Sequence, residues 1–552
     1  MLEEPDVLIP MRDGVSLAAD VFRPEREDPV PALLALSPYG KGKQSLQRSP
    51  QPGGTPLWDG GVEAGDPRYL TDHGYAHVIA DCRGTGKSEG DYRGWMSKQE
   101  AEDGHDLVEW IAAQPWCDGN VGMVGISAFG TTQLHTASEQ PPHLKAIMPW
   151  NAPADFYREA TYHGGVLQTF FMELYTRSVR GRNVSVSAEE HSGESLAEVI
   201  DEIKADQDLQ MYTTLWNVVD NPDSNPSFFD VLAHPLDGPF YWERSAYRLY
   251  DRIKVPLYIR SAWWAYAHMH LVGAFDHFAG IDAPAKLEIG AAVDEERPLS
   301  HAFNAEVVRW YDYWLKGIDN GVMSEPPMRL FLMGANEWRD AASWPLPEVQ
   351  WTRMYLGTWG RLLDEPEEVD DHPDEFIQQP LEQTTEIARL RYATPPLERD
   401  VDVIGPIGLT LHAAIDQRDT NWIVALSDQS ADGSQRELTR GFLKASHRQL
   451  DDTRSQPWRP YHSHLEAVPA SPGVVTEYAI ELAPTANRFF AGHRIVLEIM
   501  SLDYRGNPAP PPGVSQVHMP PHLCSSVTTR HTVFHDRSRP SSLLLPFVGP
   551  EP

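Results

Sequence analysis

The decisive stretch is Val121-Gly122-Met123-Val124-Gly125-Ile126-Ser127-Ala128-Phe129-Gly130, an apolar strand that leads into a glycine-rich turn. Thr132, Leu134 and His135 continue it with helical spacing. Strand, tight turn and helix together raise the turn residue above a sheet, and a helix N-terminus favours negative charge there. A serine in such a turn is often only a helix cap. We favour a nucleophile elbow at Ser127, with the second glycine one position later than is common.

Short apolar runs on both sides of this turn predict a mostly parallel sheet. Runs without polar alternation are typical of strands that are buried on both faces. Helical spacing between them predicts crossover helices, and this order of elements is that of an α/β domain. The strands are predicted at 31–37, 76–80, 121–125, 255–259 and 286–290, and the helices at 100–114 and 303–316.

Two further regions have different patterns. Residues 154–245 show helical periodicity and many aromatic side chains, which predicts a helical cap inserted into the α/β domain. Beyond about residue 350, short alternating strands are broken by Gly, Pro, Asp and Asn, which predicts an all-β sandwich or jelly roll. A length of 552 residues also favours two or three domains over one.

Composition excludes several classes of partner. The net charge of −33 repels phosphate backbones and anionic lipids, so we expect neither nucleic-acid nor membrane binding. The three cysteines lie far apart without a CxxC spacing, which argues against a zinc ribbon and a disulfide framework. No signal peptide or apolar run long enough to span a bilayer is visible. We therefore expect a cytoplasmic protein with a small-molecule substrate and no cofactor, either as a monomer or as a homo-oligomer.

Motifs along nearly the whole chain resemble the CocE/NonD family of the X-Pro dipeptidyl-peptidase group, which includes cocaine esterase and the α-amino-acid ester hydrolases. The matching motifs are PMRDGVSLAAD at 10–20, SPYG at 37–40, DCRGTGKSEG at 81–90, QPW at 114–116, the elbow, WYDYWLKG at 310–317, MGANEW at 333–338, LSD at 426–428, GFLKASHR at 441–448 and GHR at 492–494.

This resemblance implies an α/β-hydrolase core with a helical cap and a C-terminal jelly roll. The implied spans are core at 1–153, cap at 154–245, core again at 246–348 and β-sandwich at 349–552. It also implies a serine esterase or peptidase, in which Ser127 attacks an acyl carbonyl. The oxyanion would be held by the backbone N–H of Ala128 and the hydroxyl of Tyr39, two donors that suit a developing negative charge.

The expected acid and base of the triad are missing from this sequence. The family carries its acid in a Gly-Trp-Tyr-Asp-like motif, where this chain has Ala262-Trp263-Trp264-Ala265. It carries its histidine in a Gly-Pro-Trp-x-His-like motif, where this chain has Gly290-Ala291-Ala292-Val293-Asp294. The strands before both motifs match well. Because a serine hydroxyl needs a base, and the base an orienting acid, the chemistry must differ in detail.

Our main hypothesis is a rewired triad. His268 or His270, just beyond the lost acid, would be the base, and Asp294 would be the acid. His301 is a second candidate base. Because triads are defined by geometry and not by chain order, such an exchange is allowed. We expect the active cleft where cap, core and β-sandwich meet, with Trp263, Trp264, His163 and Phe129 in the substrate pocket.

Two other hypotheses remain open. The oxyanion pocket could serve a lyase, isomerase, decarboxylase or cyclase, with the same histidines and Asp294 moving protons. Alternatively, the HxH pair at 268–270 and Asp294 could bind a metal, or the chain could be a catalytically silent binding protein. Two histidines with one distant acid are a weak metal signal, so we predict no metal. We conclude that the sequence favours a CocE/NonD-like acyl hydrolase with a non-standard triad.

Overall fold

The computed structural model describes residues 1–44, 63–168, 179, 181–210, 213–264, 270–292, 301–367, 372–380, 383–384, 386–502, 522–523 and 525–549. Its strands form one large sheet in the N-terminal part of the chain, a second large sheet in the C-terminal part, and a small hairpin. None of the helices in these ranges is long and apolar enough to cross a membrane.

The first sheet is mixed and mostly parallel. Its order is β1-β2-β4-β3-β5-β6-β9-β10-β11-β12, and the pairs from β4 to β11 are parallel. The strands up to residue 341 are β1 (Leu2–Pro10), β2 (Ser16–Arg23), β3 (Val30–Ser37), β4 (Ala76–Asp81), β5 (Cys117–Ile126), β6 (Leu144–Trp150), β7 (Tyr162–His163), β8 (Val166–Leu167), β9 (Leu257–Trp264), β10 (Ala285–Ala292), β11 (Met328–Leu332) and β12 (Glu337–Ala341).

Helices cover this sheet, as the unbroken burial of β3 and β4 requires. The helices are α1 (Lys41–Gln44), α2 (Pro67–Asp72), α3 (Lys98–Ala112), α4 (Ala128–Ser138), α5 (Val186–Glu190), α6 (Glu194–Ala205), α7 (Thr213–Asp220), α8 (Pro226–Ala233), α9 (Pro239–Arg244), α10 (Val272–Gly280) and α11 (His301–Lys316). Ser97 and Glu100 form a capping box at the start of α3, which explains why this helix begins two residues before the predicted one. The α/β prediction is confirmed.

The segment that we predict as the cap is helical in part. It contains α5 to α9, but it begins with a π-helical turn at Phe156–Thr161 and the antiparallel β7–β8 hairpin. Helical periodicity in the sequence did not predict the hairpin. Its turn consists of Gly164 and Gly165, both with positive φ, so that only glycine fits without strain.

The C-terminal part is all-β, as predicted. Its strands are β13 (Val349–Gly357), β14 (Arg361–Leu363), β15 (Asp374–Gln378), β16 (Arg389–Ala393), β17 (Val401–Ile415), β18 (Asn421–Gln429), β19 (Gln435–Lys444), β20 (Thr476–Phe489), β21 (Arg494–Met500), β22 (Thr529–Phe534) and β23 (Ser542–Val548). The sheet closes on itself because β23 pairs with both β13 and β17. We call these strands and their loops the β domain.

The β domain makes close contacts with the β7–β8 hairpin of the cap. The hairpin turn lies so close to β19 that a Cβ on Gly164 would be 1.9 Å from the carbonyl oxygen of Phe442. The Lys444 N–H donates to the Gly164 carbonyl oxygen at 2.8 Å. Nδ1 of His163 is 2.8 Å from Nε2 of His522, and Phe442 stacks on the ring of His522. The hairpin is thus bonded to residues far away in the sequence.

A partly buried arginine makes a second connection between cap and β domain. Arg158 donates to the carboxylates of Asp155 and Asp237 and to the carbonyl oxygens of His462 and Ser463. Nearby, Nδ1 of His447 and Nδ1 of His464 are 3.0 Å apart, so a hydrogen bond links the two imidazoles. Burial lowers the pKa of His447 to about 3 and that of His462 to about 4, helped by positive charges that include Lys444 and Arg158.

These buried imidazoles predict acid sensitivity. The folded-state pKa values lie below the ordinary 6.5, so the unfolded chain takes up protons first as the pH falls. Their contribution makes the free energy of unfolding decrease from pH 6.5 towards pH 4, by at most about 1.4 kcal/mol per pH unit for each histidine. In His447→Asn, an amide replaces the Nδ1 position without titrating. Urea unfolding at pH 7, 6 and 5 should show a shallower pH dependence for this variant than for the wild type; equal slopes would contradict the prediction.

Candidate active site

Ser127 lies at a sharp turn between β5 and α4. Its backbone has φ 59° and ψ −118°, a region that costs a non-glycine residue on the order of 1–3 kcal/mol. Its N–H donates to the carbonyl oxygen of Trp150 at 2.8 Å, and the preceding N–H, of Ile126, donates to that of Glu63 at 3.0 Å. The Ser127 side chain makes no capping hydrogen bond to α4. The strand, turn and helix of an elbow are therefore present, and Ser127 lies at the N-cap position of α4 without capping it through its side chain. Its role as the nucleophile remains a prediction.

Two glycines permit this turn because other atoms occupy the space of a side chain. A Cβ on Gly125 would be 2.4 Å from the Cβ of Phe129, the second residue of α4. A Cβ on Gly130 would be 2.4 Å from the carbonyl oxygen of Trp150, the same oxygen that accepts the Ser127 N–H. The glycine that comes one position late in the sequence therefore allows α4 to approach the end of β6.

Tyr39 faces Ser127 from the end of the neighbouring strand β3. Its hydroxyl is hydrogen-bonded to Ser127, and its ring lies edge-on to Phe129 with centroids 6.3 Å apart. Burial raises the pKa of the Tyr39 phenol well above its ordinary value, and the negative charge of Glu63 raises it further. A phenol with so high a pKa keeps its proton at neutral pH and can donate a hydrogen bond.

Glu63 is part of this environment and was not predicted. It is buried, its backbone is bonded to the strand end before Ser127, and its own N–H donates to Oε1 of Gln44 at 2.8 Å. It lies in a stretch of glycine and acidic residues without periodicity. Nothing in that local pattern could have indicated that a buried carboxyl lies near the phenol.

The two altered motifs begin in the last residues of adjacent parallel strands and continue beyond them. β9 ends at Trp264 and β10 at Ala292, and these two residues are paired in the sheet. Arg260 on β9 and Glu288 on β10 form a buried ion pair beneath them. His268 and Asp294 lie outside the described residues, as do the side chains of Trp264 and His301. Within the described ranges, no group of three or more His, Cys, Asp and Glu side chains is placed to hold a metal ion.

The other predicted residues have partners of their own. His270 is buried, and its carbonyl oxygen accepts from Oγ of Ser261 at 2.9 Å. Trp263 donates from its indole N–H to the Phe331 carbonyl oxygen at 2.6 Å and stacks on Phe275. Both ring nitrogens of His163 are engaged, one by His522 and the other by the carbonyl oxygen of Glu159 at 2.8 Å. These contacts give Trp263 and His163 structural roles, and their place in a substrate pocket remains a prediction.

A cavity of about 490 Å³ lies where cap, core and β domain meet. Arg459 spans it, donating to both carboxylate oxygens of Asp276 at 2.6 and 2.8 Å and to Glu481 at 3.0 Å. The cavity lining thus contains paired charges of both signs. Neither Ser127 nor Tyr39 is among the described residues that line it.

A serine on a strained strand-to-helix turn, on a sheet of this topology, defines the α/β-hydrolase class. The sequence model of the family X-Pro dipeptidyl-peptidase (S15 family) matches residues 13–293. The sequence model of the X-Pro dipeptidyl-peptidase C-terminal non-catalytic domain matches residues 320–544. The chain belongs to this S15 family. It is a hydrolase of the esterase or peptidase type, and the predicted family placement is confirmed.

Relatives resemble the chain over almost its whole length. Cocaine esterase from Rhodococcus sp. (strain MB1 Bresler) is 27% identical, with 98% of both chains covered. A putative serine esterase from Mycobacterium bovis is also 27% identical over 90% of both chains. Among solved structures, a CocE/NonD family hydrolase from Staphylococcus aureus has a TM-score of 0.77 at 22% identity, covering 99% of this chain and 94% of its own. That likeness shows the same two-part fold.

The elbow geometry predicts the effect of one methyl group. In Gly130→Ala, the new Cβ would contact the Trp150 carbonyl oxygen and separate α4 from β6. We expect a loss of about 1–3 kcal/mol in the free energy of unfolding, measured by chemical denaturation. Gly42→Ala is the control, since the added Cβ would meet nothing within 4 Å in a short helix. A Gly130→Ala variant as stable as Gly42→Ala would contradict the prediction.

Proposed function

We propose that the chain is a CocE/NonD-like acyl hydrolase, of esterase or amidase type, that acts on small-molecule substrates. The observation that carries this proposal is the position of the Ser127 hydroxyl. It is held on a strained turn, hydrogen-bonded to a phenol and not used as a helix cap. Non-glycine residues held at such a φ value cluster at active sites, which supports this role for Ser127.

In the proposed reaction, Oγ of Ser127 attacks the acyl carbonyl carbon while its proton passes to a base. The carbonyl oxygen becomes an oxyanion that accepts hydrogen bonds from the Tyr39 hydroxyl and the Ala128 N–H. Collapse of this intermediate breaks the bond to the alcohol or amine, which takes the proton from the base. Water then releases the acyl group from Ser127 in the same way. Each oxyanion donor contributes about 3–4 kcal/mol in such sites.

The base and the acid are proposed to come from the loops after β9 and β10. Both loops leave the sheet at the same edge as Tyr39 and Ser127, because parallel strands share the direction of their ends. Only β6 separates β5 from β9, so the strand of Ser127 and that of the first loop are about 10 Å apart. A histidine from this loop, His268 or His270, can therefore be a base for Ser127, with Asp294 as its acid. His301 is the alternative base.

Covalent labelling tests the nucleophile. A fluorophosphonate should modify the wild type once, with the adduct on the peptide that contains Ser127 by mass spectrometry. Ser127→Ala should show neither labelling nor hydrolysis of short acyl esters. Ser138→Ala removes another buried hydroxyl at the far end of α4 and is the matched control, which should behave as the wild type. If Ser127→Ala retains full turnover, the chain is not a serine hydrolase, and a non-hydrolytic reaction in the same pocket would replace this proposal.

Single substitutions test the rewired triad. We expect one of His268→Ala, His270→Ala and His301→Ala to lower kcat by about 10³-fold or more, because the hydroxyl would lose its proton acceptor. The other two should change kcat by less than about tenfold. Asp294→Asn should lower kcat by a similar order as the base variant. Ester hydrolysis under substrate saturation measures all four, and wild-type kcat in all three histidine variants would exclude these residues as the base.

A further inference from the structure

The motif DCRGTGKSEG at 81–90 has so far no part in the proposed chemistry. It begins at Asp81, the last residue of β4, and β4 lies beside β3, the strand that precedes Tyr39. The last pair between these two parallel strands is Ser37 with Asp81. The loop that carries Tyr39 and the loop formed by the motif therefore begin side by side, and the Cys82 N–H donates to the Ser37 carbonyl oxygen at 3.0 Å.

The Asp81 carboxylate joins the two loops. Its residue is 1% exposed. Oδ1 accepts the N–H of Lys41 at 2.6 Å, and Oδ2 accepts the N–H of Lys87 at 3.0 Å. Lys41 comes two residues after Tyr39, so this contact fixes the far end of the short loop that carries the phenol. Hydrogen bonds to an ionised acceptor are stronger than those between neutral groups.

Neighbouring residues restrict the position of the Asp81 carboxylate. A Cβ on Gly86 would be 2.1 Å from Oδ2 of Asp81, so this glycine makes room for the acid. The hydroxyl of Ser88 donates to the Asp81 carbonyl oxygen at 2.7 Å. On the other side, the ammonium group of Lys41 binds the carboxylates of Asp20 and Asp6 at 2.5 and 2.6 Å. Lys41 is thus held at its backbone by Asp81 and at its side chain by Asp20 on β2 and Asp6 on β1.

We propose that Asp81 is a positioning residue for the oxyanion site: by holding the N–H of Lys41, its carboxylate fixes the Tyr39 hydroxyl relative to Ser127. Asp81 acts through Tyr39 and does not touch the substrate. The inference rests on the proposed function, since it assigns the positioned phenol to an oxyanion. A donor displaced by about 1 Å from its productive position can cost up to about 100-fold in rate, so the motif would contribute to kcat without contributing to substrate binding.

Asp81→Asn tests this role. The amide has the same shape, but only its oxygen can accept, so its NH₂ group would face one of the two backbone N–H donors. We expect kcat for a short acyl ester to fall about 10- to 100-fold, with KM within about twofold of the wild type. Asp103→Asn is the matched control: Asp103 is equally buried and binds Arg83 of the same motif, at 2.6 and 2.9 Å, but lies away from the Tyr39 loop. It should lower stability while leaving kcat within about threefold.

A double-mutant cycle separates positioning from general damage. Tyr39→Phe alone removes the donor and should lower kcat by about 100-fold or more. If Asp81 acts through the phenol, Asp81→Asn should cost less than about threefold more in the Tyr39→Phe background. Full additivity, or wild-type kcat in a folded Asp81→Asn, would overturn the proposal. If Asp81→Asn does not fold, Gly86→Ala, whose Cβ displaces the same carboxylate, takes its place in the cycle with the same criteria.

The same measurements distinguish a failure of the proposed function. A wild type that hydrolyses esters and is labelled on Ser127, together with an unaffected Asp81→Asn, would reject only the role of Asp81. A folded wild type that neither hydrolyses short acyl esters nor reacts with fluorophosphonate would reject the hydrolase proposal, and the role of Asp81 with it.

Discussion

The active end of this sheet depends on one strained residue. Ser127 keeps a left-handed backbone because its N–H and that of Ile126 are each bonded to a carbonyl oxygen of another segment. The strain is small beside the hydrogen bonds and packing that would be lost if the turn relaxed. The close approach of Gly130 in α4 to β6 involves the same Trp150 carbonyl oxygen that accepts the Ser127 N–H. The turn is thus a rigid reference point from which the rest of the site is arranged.

The side chains around Ser127 include polar groups that are buried. The phenol of Tyr39 is removed from water, which keeps it protonated, and a buried carboxyl lies near it. Buried hydrogen bonds of this kind are strong because little solvent competes with them. Beyond β6 in the sheet, β9 and β10 are joined by the ion pair of Arg260 and Glu288 just before their loops. A buried ion pair thus lies under the two loops in which we propose the base and the acid.

The sequence alone predicts the fold well because the decisive signals are local. Unbroken apolar runs indicated β3, β4 and β5, and the glycines at 125 and 130 indicated the turn. Contacts between distant parts of the chain gave no such signal. The bond between His163 and His522 joins residues 359 positions apart, so His163 resembled a free pocket residue. The surroundings of the Glu63 and Asp81 carboxyl groups are formed by loops that are separate in the sequence. The local sequence around each residue therefore could not indicate them.

The residues that form the contacts between the β domain and the cap hairpin are synthesised at different times. His163 and Gly164 are made early in translation, whereas their partners Phe442, Lys444 and His522 are made late. Until those residues leave the ribosome, the hairpin lacks its contacts with the β domain, and Arg158 lacks the carbonyl oxygens of His462 and Ser463. The α/β sheet can form while the chain is still growing, but the cap cannot reach its final position. The contacts between the hairpin and the β domain therefore form only after residues 442–444 and 522 have been made.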